Sequence, residues 1–208
     1  MHLTELTTEQ YINLLSSDAP APGGGSASAL CGAQGAALTA MVARLTLGKA
    51  KYAEFEPLCS ASAQRADVLR DALLAAIDRD TEAFNEVSAA FKLPKETEEQ
   101  KAVRKAAIQK ATLHATQVPF ETMGLACQAL EVCASLVGKS NRSAASDLGV
   151  AALNLLCCVR GAWLNVLINL GSLGDEQQSA QFSEEGARME QKAAGLADSV
   201  FGAVKNSL

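Results

Sequence analysis

Apolar positions recur at three- and four-residue spacing over most of the chain, and no stretch alternates as a half-buried strand would. The pattern is helical. A first helix is predicted after Thr7, whose hydroxyl caps while Gln10 supplies the reciprocal contact, and it ends near Ser16. Pro20 and Pro22 stop it. The segment PAPGGGS (20–26) reads as a rigid turn and three glycines of wide backbone freedom, with Ser26 placed to cap the next helix. That helix, from Ala27 to about Leu47, lines up Ala29, Gly32, Ala33, Ala36, Ala40 and Ala43 as a strip of small residues suited to close helix contact.

Gly48 closes that element, and GKAKY (48–52) exposes Lys49 and Lys51. A long helix is predicted from about Ser60 to Ala90. Beyond LPKET (93–97), Thr97 caps a charged helix that runs through His114, and Pro119 is assigned to the first turn of another that reaches Val137. After the polar loop GKSNRS (138–143), Ser143 or Ser146 caps a very apolar helix to Leu170. The last helix, about Glu176 to Asn206, carries Phe182, Met189, Ala193, Leu196, Val200 and Val204 on one side. No change of composition marks a linker. Residues 1–208 therefore read as one domain, an all-α bundle of six or seven mostly long antiparallel helices.

Composition narrows the class. Of 208 residues 49% are hydrophobic and only 4% aromatic, which excludes disorder and requires a core of Ala, Leu, Val and Gly. A net charge of -5 argues against a nucleic-acid partner, whose phosphates need a basic surface. Leu148–Val159 and Gly161–Leu173 together have the length of a membrane span, but Arg160 divides them and Asn154, Asn165 and Asn169 interrupt them, so a helix buried in protein is expected. The amino terminus, MHLTELTTEQ, is too polar for a signal peptide. The cysteines, at 31, 59, 127, 133, 157 and 158, form no CxxC pair, and only His2 and His114 accompany them. No metal site is expected; buried free thiols in a reducing cytoplasm are.

Two groups of polar residues stand out against this background. In the third predicted helix, Asp80 falls on the stripe of Leu69, Leu73, Ala76, Val87 and Phe91, while Asp71, Asp78 and Glu82 lie on the far side. A carboxylate on an apolar face meets a partner, takes up a proton or lines a wet cleft. Asp80 is either a structural contact or a catalytic group. In the helix after residue 143, one stripe holds Asp147, Ala151, Asn154, Cys158, Gly161, Asn165 and Asn169: an internal hydrogen-bond network, or a pocket wall whose amides orient a polar heterocycle. The run Gly23, Gly24, Gly25 lacks the spacing and lysine of a nucleotide-binding loop, and is either a flexible helix start or a place where backbone N–H groups receive a polar ring. Glu121, beside Pro119, and Asn141 are a helix-start charge and a loop residue, or site groups.

The segments PAPGGGSASAL (20–30), MVARLTLGKAKY (41–52), DTEAF (80–84), LPKETEEQKAVR (93–104), NRSAASDLGVAAL (141–153) and NVLINL (165–170) closely resemble the cyclodeaminase/cyclohydrolase family of folate enzymes. The resemblance covers nearly the whole chain; it departs at Ser140, where the family pattern has Gly. It implies an all-helical, cytoplasmic homodimer with a folate cleft beside the Pro/Gly-rich helix start, and no cofactor beyond the tetrahydrofolate-derived substrate. By that resemblance Asp80 is the main acid/base or cation-stabilising carboxylate, with Asp147 second. Pro22, Gly23, Gly24, Gly25, Ser26, Glu121, Asn141, Asn154 and Asn165 border the substrate, and Lys49, Lys51 and Arg44 face its glutamate tail. Because no formiminotransferase domain is attached, hydrolysis of 5,10-methenyltetrahydrofolate to 10-formyltetrahydrofolate is expected ahead of cyclodeamination of 5-formiminotetrahydrofolate, and a non-enzymatic helical subunit is the third alternative.

Overall fold

The computed structural model describes residues 2–208. It contains α1 (Thr8–Leu15), α2 (Gly24–Arg44), α3 (Glu56–Phe91), α4 (Glu98–Ser135), α5 (Ala145–Leu170) and α6 (Glu176–Ser207), with short 3₁₀ turns and no strand among the described residues. The predicted caps of α1 and α4 form: Thr7 and Gln10, and Thr97 and Gln100, each make reciprocal side-chain-to-backbone bonds. Gly48 ends the α2 region with a positive φ of 71°.

Three local expectations are corrected. First, α2 begins three residues before Ala27: Gly23 is its N-cap, Gly24 and Gly25 are already helical, and Ser26 caps nothing. Glycine is a poor helix former, and the start is held from outside: the Asp80 carboxyl of α3 packs against Gly25 and meets the Ser26 hydroxyl at 3.0 Å. Second, Pro119 opens no new helix, because α4 runs unbroken through it. A mid-helix proline leaves the carbonyl four residues earlier without its donor. That carbonyl belongs to Ala115, and the Asn169 side chain of α5 donates to it at 3.0 Å. Third, neither Ser143 nor Ser146 caps α5: Asn141 Oδ1 accepts the Ser143 N–H at 3.2 Å and caps a 3₁₀ turn that feeds the helix.

Cross-helix contacts fix an up-and-down arrangement. Arg44, at the end of α2, pairs with Asp67 near the start of α3, while Ser26 at the other end meets Asp80. Glu86 pairs with His114, and Arg79 with Glu121, so α3 and α4 are antiparallel. Along α2 and α5, added Cβ atoms at Gly161, Gly32 and Gly35 would fall on Ser28, Cys158 and Leu155 respectively, so the small-residue strip is a seam of close backbone approach. Leu69, Leu73, Met123, Leu130, Leu148 and Leu155 fill the centre of the four-helix unit α2–α5. The groove between α4 and α5 is closed by Ala193, Ala197, Val200 and Val204 of α6. Tyr11 of α1 joins Leu3, Ala29, Ala76 and Ile77 over one end, where Asp78 accepts the Leu3 N–H at 2.6 Å.

Gly24–Arg44 and Arg142–Leu170 have the length and hydropathy of membrane spans, but both belong to the bundle, and α2 is wrapped by α3, α4 and α5. The outer face of α5 leaves Val150, Leu153, Leu164, Leu167 and Ile168 exposed. All six cysteines are free. Cys59, Cys133 and Cys158 are buried as expected, Cys31 and Cys127 are half-buried, and Cys157 is exposed.

Candidate active site

At the end of the bundle where α2 begins, a cavity of about 350 Å³ is lined by Pro20, Ala21, Gly23, Gly24, Gly25, Asp80, Phe84, Val87, Ala115, Asn165, Ile168 and Asn169. Four helices contribute to it. Asp80 is the sole ionisable group in this lining, which contains no lysine, arginine or histidine. The predicted stripe is buried at Leu69, Leu73 and Ala76 and opens toward solvent at Phe91, with Asp80 half-buried at the transition.

The carboxyl of Asp80 lies against Gly25, where a Cβ would fall on its oxygens, so only glycine leaves room for it. Asp80 Oδ2 lies 3.0 Å from Ser26 Oγ, and that hydroxyl also lies 3.0 Å from the Ile77 carbonyl and 3.2 Å from Thr81 Oγ1. Burial is the largest influence on Asp80 and pushes its pKa above the ordinary carboxylate value, against the opposing pull of the Ser26 hydroxyl and backbone N–H. Burial thus makes the neutral form of this carboxyl easier to reach than it is for an aspartate in water.

On the opposite wall, Asn165 Nδ2 donates to the Gly161 carbonyl at 2.8 Å, and Asn169 Nδ2 donates to the carbonyls of Ala115 and Asn165, both at 3.0 Å. With the nitrogens committed, the Oδ1 acceptors make no protein hydrogen bond among the described residues. Phe84 and Ile168 are 42% and 78% exposed at the mouth, an apolar rim for a flat ring. Asn169 was visible in the sequence as part of the polar stripe on α5, and Phe84 as part of DTEAF. Val87 was visible on the Asp80 stripe and Ile168 within NVLINL, but nothing in the sequence pointed to Ala115.

The other sequence candidates lie elsewhere. Pro22 is buried behind the turn, and Ser26 is wholly buried, touching Asp80 but outside the cavity lining. Asp147 is half-buried in the first turn of α5, 18 residues or about 27 Å of helix before Asn165. Asn154 sits between them and reaches neither end. Glu121 is engaged with Arg79, and Arg44 with Asp67. Asn141 is buried, its backbone N–H donating to Thr46 Oγ1 at 2.9 Å and its Nδ2 to the Leu45 carbonyl at 3.3 Å. Lys49 and Lys51 follow the far end of α2, whose 19-residue run from Gly25 to Arg44 spans about 28 Å. Lys51 instead borders a second cavity of about 570 Å³ with Tyr52, Ser140, Arg142 and Ser207. There the Tyr52 hydroxyl accepts the Arg142 N–H at 3.1 Å, which holds its pKa down. Among the described residues no group of three or more His, Cys, Asp or Glu side chains is arranged to hold a metal ion.

Comparison with known proteins places this geometry. Residues 7–188 match the family model described as formiminotransferase-cyclodeaminase. A methenyltetrahydrofolate cyclohydrolase of Methylorubrum extorquens is 37% identical over 97% of both chains. The formimidoyltransferase-cyclodeaminase of Rattus norvegicus is 34% identical over 84% of this chain, which spans only 32% of that longer protein. A crystal structure of formiminotetrahydrofolate cyclodeaminase from Thermotoga maritima superposes with a TM-score of 0.81 at 26% identity, covering 98% of this chain and 96% of that one. These findings correct the expectation that hydrolysis comes first. It rested on the lack of an attached transferase domain, yet the Thermotoga chain, matched over nearly its whole length, is itself named a cyclodeaminase, as are the family model and the bifunctional relatives.

Proposed function

The chain belongs to the formiminotransferase-cyclodeaminase family, and from that premise we propose that it acts as a formiminotetrahydrofolate cyclodeaminase, closing 5-formiminotetrahydrofolate to 5,10-methenyltetrahydrofolate with release of ammonia. One observation carries the reading: a cavity whose single ionisable lining group is a half-buried carboxyl with a raised pKa, facing amide acceptors and an apolar rim. Such a site suits a flat heterocycle bearing a delocalised cation and repels an anion.

The chemistry needs one proton moved twice. N10 attacks the formiminium carbon on N5, giving a tetrahedral adduct with a positively charged N10–H. Asp80, ionised, takes that proton and passes it to the adduct's amino group; ammonia departs as the N5–C–N10 amidinium forms. The same carboxylate sits beside the cationic substrate and product, where its charge favours both. The Oδ1 acceptors of Asn165 and Asn169 receive N–H groups of the pterin, Phe84 and Ile168 cover its ring, and the glutamate tail leaves through the open mouth. The reaction is a cyclisation with loss of ammonia and needs no redox carrier, so in this proposal the folate substrate is the one small-molecule partner. The assembly proposed is a cytoplasmic homodimer joined through the exposed apolar face of α5.

Incubation with 5-formiminotetrahydrofolate tests the reading. Equal amounts of ammonia and methenyl product, the latter followed by its absorbance, are expected. No ammonia above the uncatalysed rate, from protein shown to be folded, overturns it.

A further inference from the structure

The Ser26 hydroxyl is fully buried and has three polar neighbours but a single proton. Ile77 O can only accept, and it already belongs to the α3 backbone ladder. Asp80 Oδ2 accepts when ionised and can donate when protonated, while Thr81 Oγ1 does either. We propose that Ser26 is a positioning residue whose hydroxyl turns with the charge of Asp80: it donates to Asp80 Oδ2 when the carboxylate is ionised, and turns to donate to Ile77 O while accepting a hydrogen bond from the Asp80 O–H when the carboxyl is neutral. In both states each buried hydrogen has an acceptor. The device deepens the cyclodeaminase reading, since a group that receives a proton from N10 and surrenders it to the amine must be tolerated in both forms.

The alternatives are limited by placement. Ser26 cannot bind folate directly, because none of its surface reaches solvent. It does not cap α2, where Gly23 is the N-cap. The neighbours that face Asp80 from other elements are Gly25 and Ser26 of α2, the Tyr11 phenol of α1, and the Asn165 and Asn169 amides across the cavity. Tyr11 is neutral at ordinary pH, burial and Asp80 both pushing its pKa up. On its own helix Asp80 is flanked by Arg79, engaged with Glu121, and by Asp78 one residue further back, which receives Leu3 and Thr4. Among the described residues, Ser26 is thus the one neutral donor in direct hydrogen-bond contact with the Asp80 side-chain carboxyl whose orientation is free to change.

Removing the hydroxyl withdraws a charge-assisted hydrogen bond from the ionised form and a weaker neutral one from the protonated form, so the Asp80 pKa rises further, by about one unit. The experiment is a titration of Asp80 without substrate, following its protonated-carboxyl C=O stretch in infrared difference spectra against Asp80→Asn, alongside the pH profile of kcat/KM. Ser26→Ala should raise the titration midpoint and carry the acid limb of the profile up with it, with KM at the plateau changed less than twofold, and Ser26→Thr should restore both. If Ser26→Ala does not fold, Ser26→Cys keeps the volume while losing most of the donor strength, and the same upward shift is expected. An unmoved midpoint in folded Ser26→Ala or Ser26→Cys overturns the proposal, as does a loss of kcat that is flat across pH. Because the infrared titration requires no turnover, a protein whose Asp80 responds to Ser26 but which releases no ammonia would overturn the assigned reaction and leave the hydroxyl's role standing.

Discussion

Asp80 is held where function and stability pull in opposite directions. Its folded-state pKa lies above the unfolded value, near 3.9 for an aspartate, because burial outweighs the two Ser26 bonds. The protonated form's advantage to the fold is therefore complete below the unfolded pKa and is lost as pH rises through the folded one. Asp80→Asn removes the charge and keeps the size. Its melting temperature relative to the parent should improve between pH 4 and pH 8, while kcat for ammonia release falls roughly 10²–10⁴-fold. Thermal unfolding across that range, with kcat measured on folded protein and folate binding checked, tests both halves. A melting difference constant with pH would show that Asp80 ionises without cost to the fold, and near-normal kcat would remove it from proton transfer.

At the scale of elements, α5 repairs a gap in the backbone bonding of α4. Pro119 deprives the Ala115 carbonyl of its helical donor, and Asn169 supplies the replacement while presenting its own Oδ1 to the cavity. Asn169→Ala should cost about 1 kcal/mol, the low end of the range for leaving a carbonyl unpaired, because the Ala115 carbonyl is only half-buried. Pro119→Ala returns the N–H that closes the helical bond to Ala115. In that background the same asparagine substitution should cost measurably less. Urea denaturation of the parent, the two single variants and the double variant gives the coupling directly; additivity within about 0.5 kcal/mol would deny the compensation.

For the whole molecule, the outer face of α5 stands out. Leu153 and Leu164 are 47% and 66% exposed on a helix whose inner side is packed, and Val150 and Leu167 extend the same apolar surface. A homodimer through this face would remove that surface from water. Replacing Leu153 and Leu164 together by Glu should leave helical content intact and convert the dimer to monomer in sedimentation at micromolar concentration. Neither residue lines the Asp80 cavity. A parent protein that sediments only as monomer, or a double variant that remains dimeric, would place the assembly elsewhere or deny it.

What the sequence determined by itself is what local forces decide. Helical periodicity and the capping pairs Thr7 with Gln10 and Thr97 with Gln100 act within one turn, so the all-α class and those two helix starts were legible. Asp80 was legible too, because a single carboxylate out of phase with its own apolar stripe is a property of one helix. The family segments carried the fold further, while the proposal of one folate reaction over the other leans on the named relatives. Only the tertiary structure decided the rest. Whether Pro119 ends a helix depends on an asparagine 50 residues later, and whether glycines 23–25 form a loop depends on the carboxyl packed against their helix start. Asp147 and Asn165 share one stripe yet sit at opposite ends of α5, and Lys51 lies beyond the far end of α2 from Gly25. Periodicity reports which face a residue occupies. Which end of which neighbour it meets is set by the antiparallel packing of the long helices, and that is where the cavity is made.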